Sequence, residues 1–354
     1  MNEQVGVPRF GVVPGVAVHR ALDGRRPEVI DLVEKAYRLH GEAQTVNPPS
    51  YFLRFPDRPS ARIIALPASV GGERPVDGIK WISSFPSNLE RGIPRASAVL
   101  ILNDPATGYP YACLESSIIS AVRTAASAAV AARALLADRP RPRRIGFLGT
   151  GLIARYLHQY LSTLGWEPEE LGVHDLSDRY ARDFARHLRE SGGDRTSVRV
   201  YGSSEELIRA SDVVVLATTA AEPHVSDPAW FDHHPLVLHV SLRDLSTDVI
   251  LDSVNVVDDV EHVLKANTSV HLAEQSTGGR DFLAGTLFDV LTGRLTVPAD
   301  RTVVFSPFGL GVLDMAVGEH VFRRAEEAGE VMAVEGFFHD LARHAAPRTE
   351  AGAR

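Results

Sequence analysis

Residues 145–151 read Ile145-Gly146-Phe147-Leu148-Gly149-Thr150-Gly151, and the unit they open closes at Val173-His174-Asp175. A short apolar run of strand length passes without a polar spacer into Gly149-x-Gly151-x-x-Ala154. Beyond it Leu152, Ile153, Tyr156, Leu157, Tyr160 and Leu161 recur at helical spacing, Gly165 ends the pattern, and Leu171 to Asp175 reads as a second strand with an acidic tip. Strand, tight turn, helix and strand in this order suit a dinucleotide. Gly149 permits the turn, Gly151 lets the backbone approach a pyrophosphate, and Ala154 lets helix pack close to strand. The pyrophosphate then rests on the free N–H groups of the helix opening at Leu152 and Ile153, at the positive end of its dipole. Asp175 lies 24 residues beyond Gly151, near the spacing of a carboxylate that accepts hydrogen bonds from the adenosine ribose. It would repel a 2′-phosphate, so the expected cofactor is NAD rather than NADP.

Outward from this unit, strand patterns at Val198–Tyr201, Val213–Ala217, Val237–Ser241 and Val254–Val257 alternate with helical stretches such as Ser204–Ala210. That is the text of a doubly wound parallel sheet, a Rossmann fold in the α/β class. The first third reads differently. After a helix over residues 27–41, strand-like runs at Tyr51–Phe55, Arg62–Leu66, Gly78–Ser83 and Ala98–Asn103 are bounded by Pro, Gly, Asn or Asp, which predicts an antiparallel sheet. An alanine-rich helical pattern from Ser116 to Ala137 follows, then a proline- and arginine-containing linker from Asp138 to Arg144, read as solvated. Near the C-terminus the pattern predicts a helix over Phe282–Leu291, a strand over Thr302–Ser306 and a last amphipathic helix over Val312–Ala328 that folds back onto the first sheet. The expected organisation is an α+β substrate-binding and dimerisation domain over 1–124, completed by 305–354, and an NAD-binding domain over 125–304. Residues after Ala345 are expected to fray.

At 354 residues, with 44% hydrophobic and 23% charged residues, the chain has the composition of a two-domain globular enzyme. Its net charge of −8 offers no basic field for nucleic acid. A single cysteine, Cys113, excludes an intramolecular disulfide framework, and its apolar surroundings predict a buried structural thiol. Pro8, Arg9 and Pro14 interrupt the N-terminus, so no signal peptide is expected, no apolar run is expected to cross a bilayer, and a cytoplasmic location follows. No metal site is expected, since His233 and His234 are adjacent and no Cys/His cluster has ligand spacing. Two cations stand out: Lys80 in an apolar strand and Arg123 in the alanine-rich helix. Each would be a buried charge without a partner unless it meets an anionic ligand.

Gly78-Ile79-Lys80-Trp81, Arg95-Ala96-Ser97 leading to Ile101-Leu102-Asn103-Asp104, Glu115-Ser116 through Arg123-Thr124-Ala125-Ala126, and Gly149-Thr150-Gly151 resemble the ornithine cyclodeaminase and mu-crystallin family in order and spacing. The resemblance runs from about Pro48 to Gly329. The wording is most similar to the branch that makes L-2,3-diaminopropionate for siderophores and peptide antibiotics. It implies NAD-dependent oxidative hydrolysis of N-((2S)-2-amino-2-carboxyethyl)-L-glutamate to 2,3-diaminopropionate and 2-oxoglutarate, by a homodimer joined through its N-terminal sheets. It also implies that Lys80 and Arg123 grip the substrate α-carboxylate and that Asp244, after the strand Val237–Ser241, is the acid/base group that imine hydrolysis needs. Thr124, Thr218 and Ser241 match positions that contact the dinucleotide. The family's further carboxylate-binding arginine is replaced by Ser50, leaving Arg54 or Arg62 to take its part. Ile64 stands where the ornithine enzymes carry an acid, and Pro307 replaces a cofactor-side serine. Ornithine or lysine cyclodeamination, imine reduction and alanine dehydrogenation remain alternatives on the same scaffold, as does a binding protein with its chemistry lost.

Overall fold

Two sheets organise the computed structural model, which describes residues 8–191, 196–339 and 341. The first lobe runs β1 (Gly11–Val13), α1 (Gly15–Leu22), α2 (Arg26–Gly41), β2 (Thr45–Val46), β3 (Tyr51–Phe55), β4 (Arg58–Val70), β5 (Val76–Ser84), β6 (Ala96–Asn103) and β7 (Pro110–Glu115). Strands β3 to β7 pair antiparallel in sequence order, and β1 joins β7 in parallel. Inward residues such as Leu66, Leu100, Leu102, Ala112 and Leu114 are buried, while Trp81 and Val99 on the opposite face are exposed. That alternation is what a sheet covered on one side only produces.

The long helix α3 (Ser117–Leu135) then packs on α2 and on the first helix of the second lobe. Its alanines allow that close approach on both sides. By length and composition alone α3 would pass for a membrane span, which corrects the expectation that no apolar run is long enough. Most of it is buried between other elements of the fold.

The second lobe runs β8 (Arg144–Leu148), α4 (Leu152–Leu161), β9 (Glu170–His174), α5 (Asp178–Ser191), β10 (Ser197–Val200), α6 (Ser204–Ala210), β11 (Val213–Leu216), β12 (Leu236–His239), α7 (Thr247–Asp252), β13 (Val254–Val257), α8 (Val260–Val263), α9 (Ser269–Thr277), β14 (Leu283–Thr286), α10 (Leu287–Leu291) and β15 (Val303–Ser306). The sheet is parallel throughout, in the order β10-β9-β8-β11-β12-β15-β13-β14. Every residue of β11, β12 and β15 is buried, as strands covered on both faces require. Strand order reverses between β8 and β11, and the crevice at such a reversal is where open α/β sheets take their ligands.

From β15 the chain returns to the first lobe. Helix α11 (Gly311–Glu327) lies across the inner faces of β4, β5 and β6, and β16 (Met332–Ala333) closes the edge beside β1. Side chains tie the lobes as well: His40 on α2 meets Asp259 at 3.1 Å, and Asn47 meets His262 at 2.9 Å.

Several expectations need correction. The stretch Phe282–Leu291 is a short strand and a short helix, because Thr286 and Asp289 form a reciprocal cap that starts α10 there. The segments Gly11–Val13, Gly15–Leu22 and Pro110–Glu115 carry regular structure that their short patterns do not announce. Cys113 is half-buried on the outer face of the first sheet, not a core thiol, because its register partner Ile101 faces the same open side. Arg139 is no solvated linker residue: it donates to the carbonyls of His234, Pro298 and Arg301 and so clamps the start of the second lobe. The segment after Ala345 lies outside the described residues.

The closeness of α11 to the sheet has a direct test. A Cβ at Gly78 would meet the Ile101 carbonyl and come within 2.9 Å of Met315 Sδ. Gly78→Ala should therefore destabilise the protein by about 1–3 kcal/mol, read as a lowered midpoint in denaturant unfolding.

Candidate active site

The glycine turn is formed as a dinucleotide needs it. Gly149 has φ of +88°, and a Cβ there would lie 2.6 Å from the Ala217 carbonyl oxygen, so the turn after β8 presses directly on the end of β11. A Cβ at Gly151 would meet nothing within 4 Å, which leaves that side open to a pyrophosphate. Gly151 is the N-cap of α4 and supplies no side-chain cap, so the first-turn amides at Leu152 and Ile153 are presented to whatever enters the crevice. Asp175 stands at the tip of β9 and accepts from Thr150 N (3.1 Å), Thr150 Oγ1 (2.8 Å) and Ser177 N (2.9 Å). It braces the glycine turn while retaining lone pairs for a ribose. These residues fit a dinucleotide.

On the facing lobe, Lys80 and Arg123 come together as the sequence suggests, but with a partner it did not show. Asp314 on α11 receives Lys80 Nζ at 2.6 Å on one oxygen and Arg123 Nε at 3.2 Å on the other. Lys80 and Asp314 are fully buried and Arg123 nearly so. The expectation of two unpaired cations is corrected: one carboxylate serves both, leaving one net positive charge. Burial, seconded by the Arg123 charge and opposed by Asp314, pushes the Lys80 pKa down to about 8. The Arg123 guanidinium is also held from behind. Gly309, with φ of +95°, lies so close that a Cβ would be 2.5 Å from Arg123 Nη1. The loop carrying Gly309 is pinned by the buried carboxylate of Asp258, which accepts from Phe308 N (2.9 Å) and Gly309 N (2.7 Å).

Arg54 and Arg62 are direct neighbours across β3 and β4, and Arg62 pairs in turn with Ser84 on β5, on the same face as Lys80. Arg95 reaches Ser84 Oγ at 2.8 Å. From the second lobe comes Arg243, whose guanidinium donates to the carbonyls of Ala266 (2.6 Å) and Asn267 (3.0 Å). Arg62 lies within reach of the other three charges. Burial lowers the Arg62 pKa, and Arg243, Arg95 and Arg54 add to the effect. Among the described residues none of the four has a carboxylate partner within salt-bridge distance. Arg243 escapes a sequence reading, and Arg95 enters it within a family motif without a role of its own, because nothing in their local pattern separates either from a surface arginine.

Asp244 lies in the loop after β12, fully buried. It accepts from Thr218 Oγ1 and Ser241 Oγ, and from His224 Nε2 at 3.0 Å, while its own N–H donates to His239 Nε2 at 3.2 Å. Burial alone would raise its pKa, yet the hydrogen bonds it accepts, from His224 and Ser241 among others, outweigh it, and the carboxyl titrates far below the ordinary range. Thr218 and Ser241 thus commit their hydroxyl protons to Asp244 and keep only oxygen lone pairs for any other partner. Thr124 likewise turns its hydroxyl onto Ser120 O at 2.7 Å within α3. Leu242 adopts φ of +77°, a conformation costing a non-glycine residue about 1–3 kcal/mol, and this bend sends Arg243 and Asp244 in different directions. No metal-holding group of His, Cys, Asp or Glu occurs among the described residues.

A glycine turn at a sheet reversal, with buried cations on the other lobe, is what a dinucleotide-dependent oxidoreductase requires. The chain belongs to the ornithine cyclodeaminase/mu-crystallin family, whose model matches residues 16–329. It is 32% identical over 306 residues to the nodulation efficiency protein NfeD of Rhizobium meliloti, covering 85% of this chain and 91% of that one. It is 27% identical over 310 residues to the N-((2S)-2-amino-2-carboxyethyl)-L-glutamate dehydrogenase of Staphylococcus aureus (strain NCTC 8325 / PS 47), covering 84% and 90%. Among solved structures, the Δ1-pyrroline-2-carboxylate reductase of Thermococcus litoralis, in complex with NADH and L-proline, shares the fold with a TM-score of 0.83 at 23% identity, over 92% of this chain and 99% of that one.

The bridging carboxylate can be tested alone. Asp314→Ala strands two buried cations and should cost about 3–5 kcal/mol in chemical denaturation. An Asp314→Ala protein as stable as the parent would show that solvent reaches Lys80.

Proposed function

We propose that this protein catalyses the NAD-dependent oxidative hydrolysis of N-((2S)-2-amino-2-carboxyethyl)-L-glutamate, giving L-2,3-diaminopropionate and 2-oxoglutarate, the former a building block of siderophores and peptide antibiotics. The observation that carries this reading is the surplus of positive charge: Arg54, Arg62, Arg95 and Arg243 gather without a carboxylate partner among the described residues, beside a Lys80–Arg123 pair that one aspartate only half neutralises. Holding cations together in a partly desolvated cleft is unfavourable unless a ligand brings the balancing charge. This conjugate brings a carboxylate at each end and another beside the reacting carbon. Alanine, ornithine and proline each bring a single carboxylate and would leave most of the guanidinium groups unmatched. The Staphylococcus aureus relative bears the name of this activity.

In this reading the glycine turn and α4 hold NAD, with Asp175 on its adenosine ribose. When bound, NAD accepts the hydride from the carbon bearing the secondary amine. Lys80 and Arg123 hold the carboxylate on that carbon and so fix which face it presents. The arginine group takes the distal carboxylates bidentately, which an ammonium cannot do. Asp244 belongs to the group that handles protons during hydrolysis. The open face of the first sheet, with Tyr51, Trp81 and Val99 exposed in register across β3, β5 and β6, is where a second copy docks.

Purified protein with NAD and the conjugate should form NADH and 2-oxoglutarate in equal amounts. Ammonia from ornithine without net NADH would replace this reading with cyclodeamination. Arg62→Gln should lower kcat/KM for the conjugate by roughly tenfold to a hundredfold, the loss of one charged hydrogen-bonding group. The pH dependence follows from Lys80. Its folded pKa is about 8, so the ammonium is charged below that pH and neutral above it. KM should rise as pH passes upward through about 8, and Lys80→Arg, charged throughout, should flatten that rise.

A further inference from the structure

The residue that meets the reacting nitrogen is a separate question from the substrate's identity. Asp244 is wholly enclosed, and its oxygens are engaged by Thr218, Ser241 and His224. A carboxylate so placed, and so strongly held in its ionised form, neither reaches a substrate nor takes up a proton readily. His224 is different. Its side chain is 37% exposed, on the segment that leaves β11 beside the glycine turn, and its Nε2 is 3.0 Å from Asp244 Oδ1. Its backbone is fixed too, since His224 N and Val225 N both donate to the Asp244 carbonyl at 2.9 Å. An ionised carboxylate only accepts hydrogen bonds, so Nε2 carries the proton and Nδ1 presents a lone pair. Among the described residues Nδ1 has no partner.

We propose that His224 is the catalytic acid/base of the reaction and Asp244 its positioning residue, buried to fix the imidazole's tautomer and to stabilise the imidazolium that forms. This rests on the oxidative hydrolysis proposed above. As the hydride leaves carbon for NAD, the amine gives its proton to Nδ1, leaving a neutral imine. His224 returns the proton to the imine nitrogen, then takes one from water as its oxygen bonds to carbon. The same proton passes to the amine of the adduct, and loss of the hydroxyl proton to His224 accompanies C–N cleavage. Water's oxygen ends in 2-oxoglutarate, the amine leaves as 2,3-diaminopropionate, and one proton remains on His224 for release to solvent. Asp and His paired in this way, one buried and one facing the substrate, perform the same division of labour in hydrolases.

His224→Ala should lose about a hundredfold to ten-thousandfold in turnover of the conjugate while binding NAD as the parent does. Added imidazole should restore turnover saturably to His224→Ala. It should not do so for Asp244→Asn, in which the ring's place is still filled. Turnover by His224→Ala within about twofold of the parent, or no rescue by imidazole, would overturn the proposal. The dyad is also tested without any substrate. Long-range nitrogen–proton spectra of the parent enzyme should show His224 protonated at Nε2 and bare at Nδ1. The opposite tautomer would sink the proposal even if the conjugate proved to be the substrate. A parent enzyme that showed the expected tautomer but ignored the conjugate would instead remove the substrate assignment.

Discussion

One carboxylate, that of Asp314, balances the buried charge of the first lobe. Lys80 on β5 and Arg123 on α3 are both withdrawn from water, and each would be intolerable there alone. Helix α11 brings the anion to both, which requires it to lie close on the sheet. The glycines at 78, 311 and 318, facing Met315, Ala68 and Leu100, permit that approach. The same helix follows β15 and is the one that returns the chain from the second lobe to the first. Closing the charge balance is therefore inseparable from assembling the two lobes around their cleft.

The second lobe treats charge in the opposite manner. Asp244 is an anion kept buried by hydroxyl and imidazole donors, and the carboxyl of Asp258, whose pKa burial raises, is held by backbone N–H groups. Each fixes a loop at the carboxyl edge of the parallel sheet: one the segment bearing Arg243 and His224's partner, the other the turn behind Arg123. The left-handed Leu242, and the consecutive left-handed residues Ala266 and Asn267 whose carbonyls receive Arg243, show backbone strain concentrated where the lobes face each other. Rigid loops there keep positive charge poised with little reorganisation left for the moment of binding.

What was legible in the sequence was what local periodicity and spacing encode. The strand, glycine turn, helix and acidic tip from Ile145 to Asp175 were readable because a dinucleotide is bound by contiguous backbone, so its determinants sit within one short stretch. The antiparallel text of the first third, the buried lysine and the buried arginine were readable for a similar reason: a cation amid apolar residues is anomalous wherever it ends up. Harder were short elements such as Pro110–Glu115, whose pairing depends on a neighbour already in place, and the break within Phe282–Leu291, decided by a reciprocal cap rather than by hydropathy.

By itself, then, the chain determined the nucleotide-binding unit, the two kinds of sheet and the presence of cations awaiting an anion. Tertiary structure alone decided which groups those cations meet. Asp314 lies 234 residues from Lys80, and Arg243 is far along the chain from Arg54, Arg62 and Arg95, so no spacing rule connects them. It also decided that Asp244 faces inward and His224 outward, because the direction of a side chain in a loop is set by what packs against it, and that packing comes from strands and helices brought together only on folding.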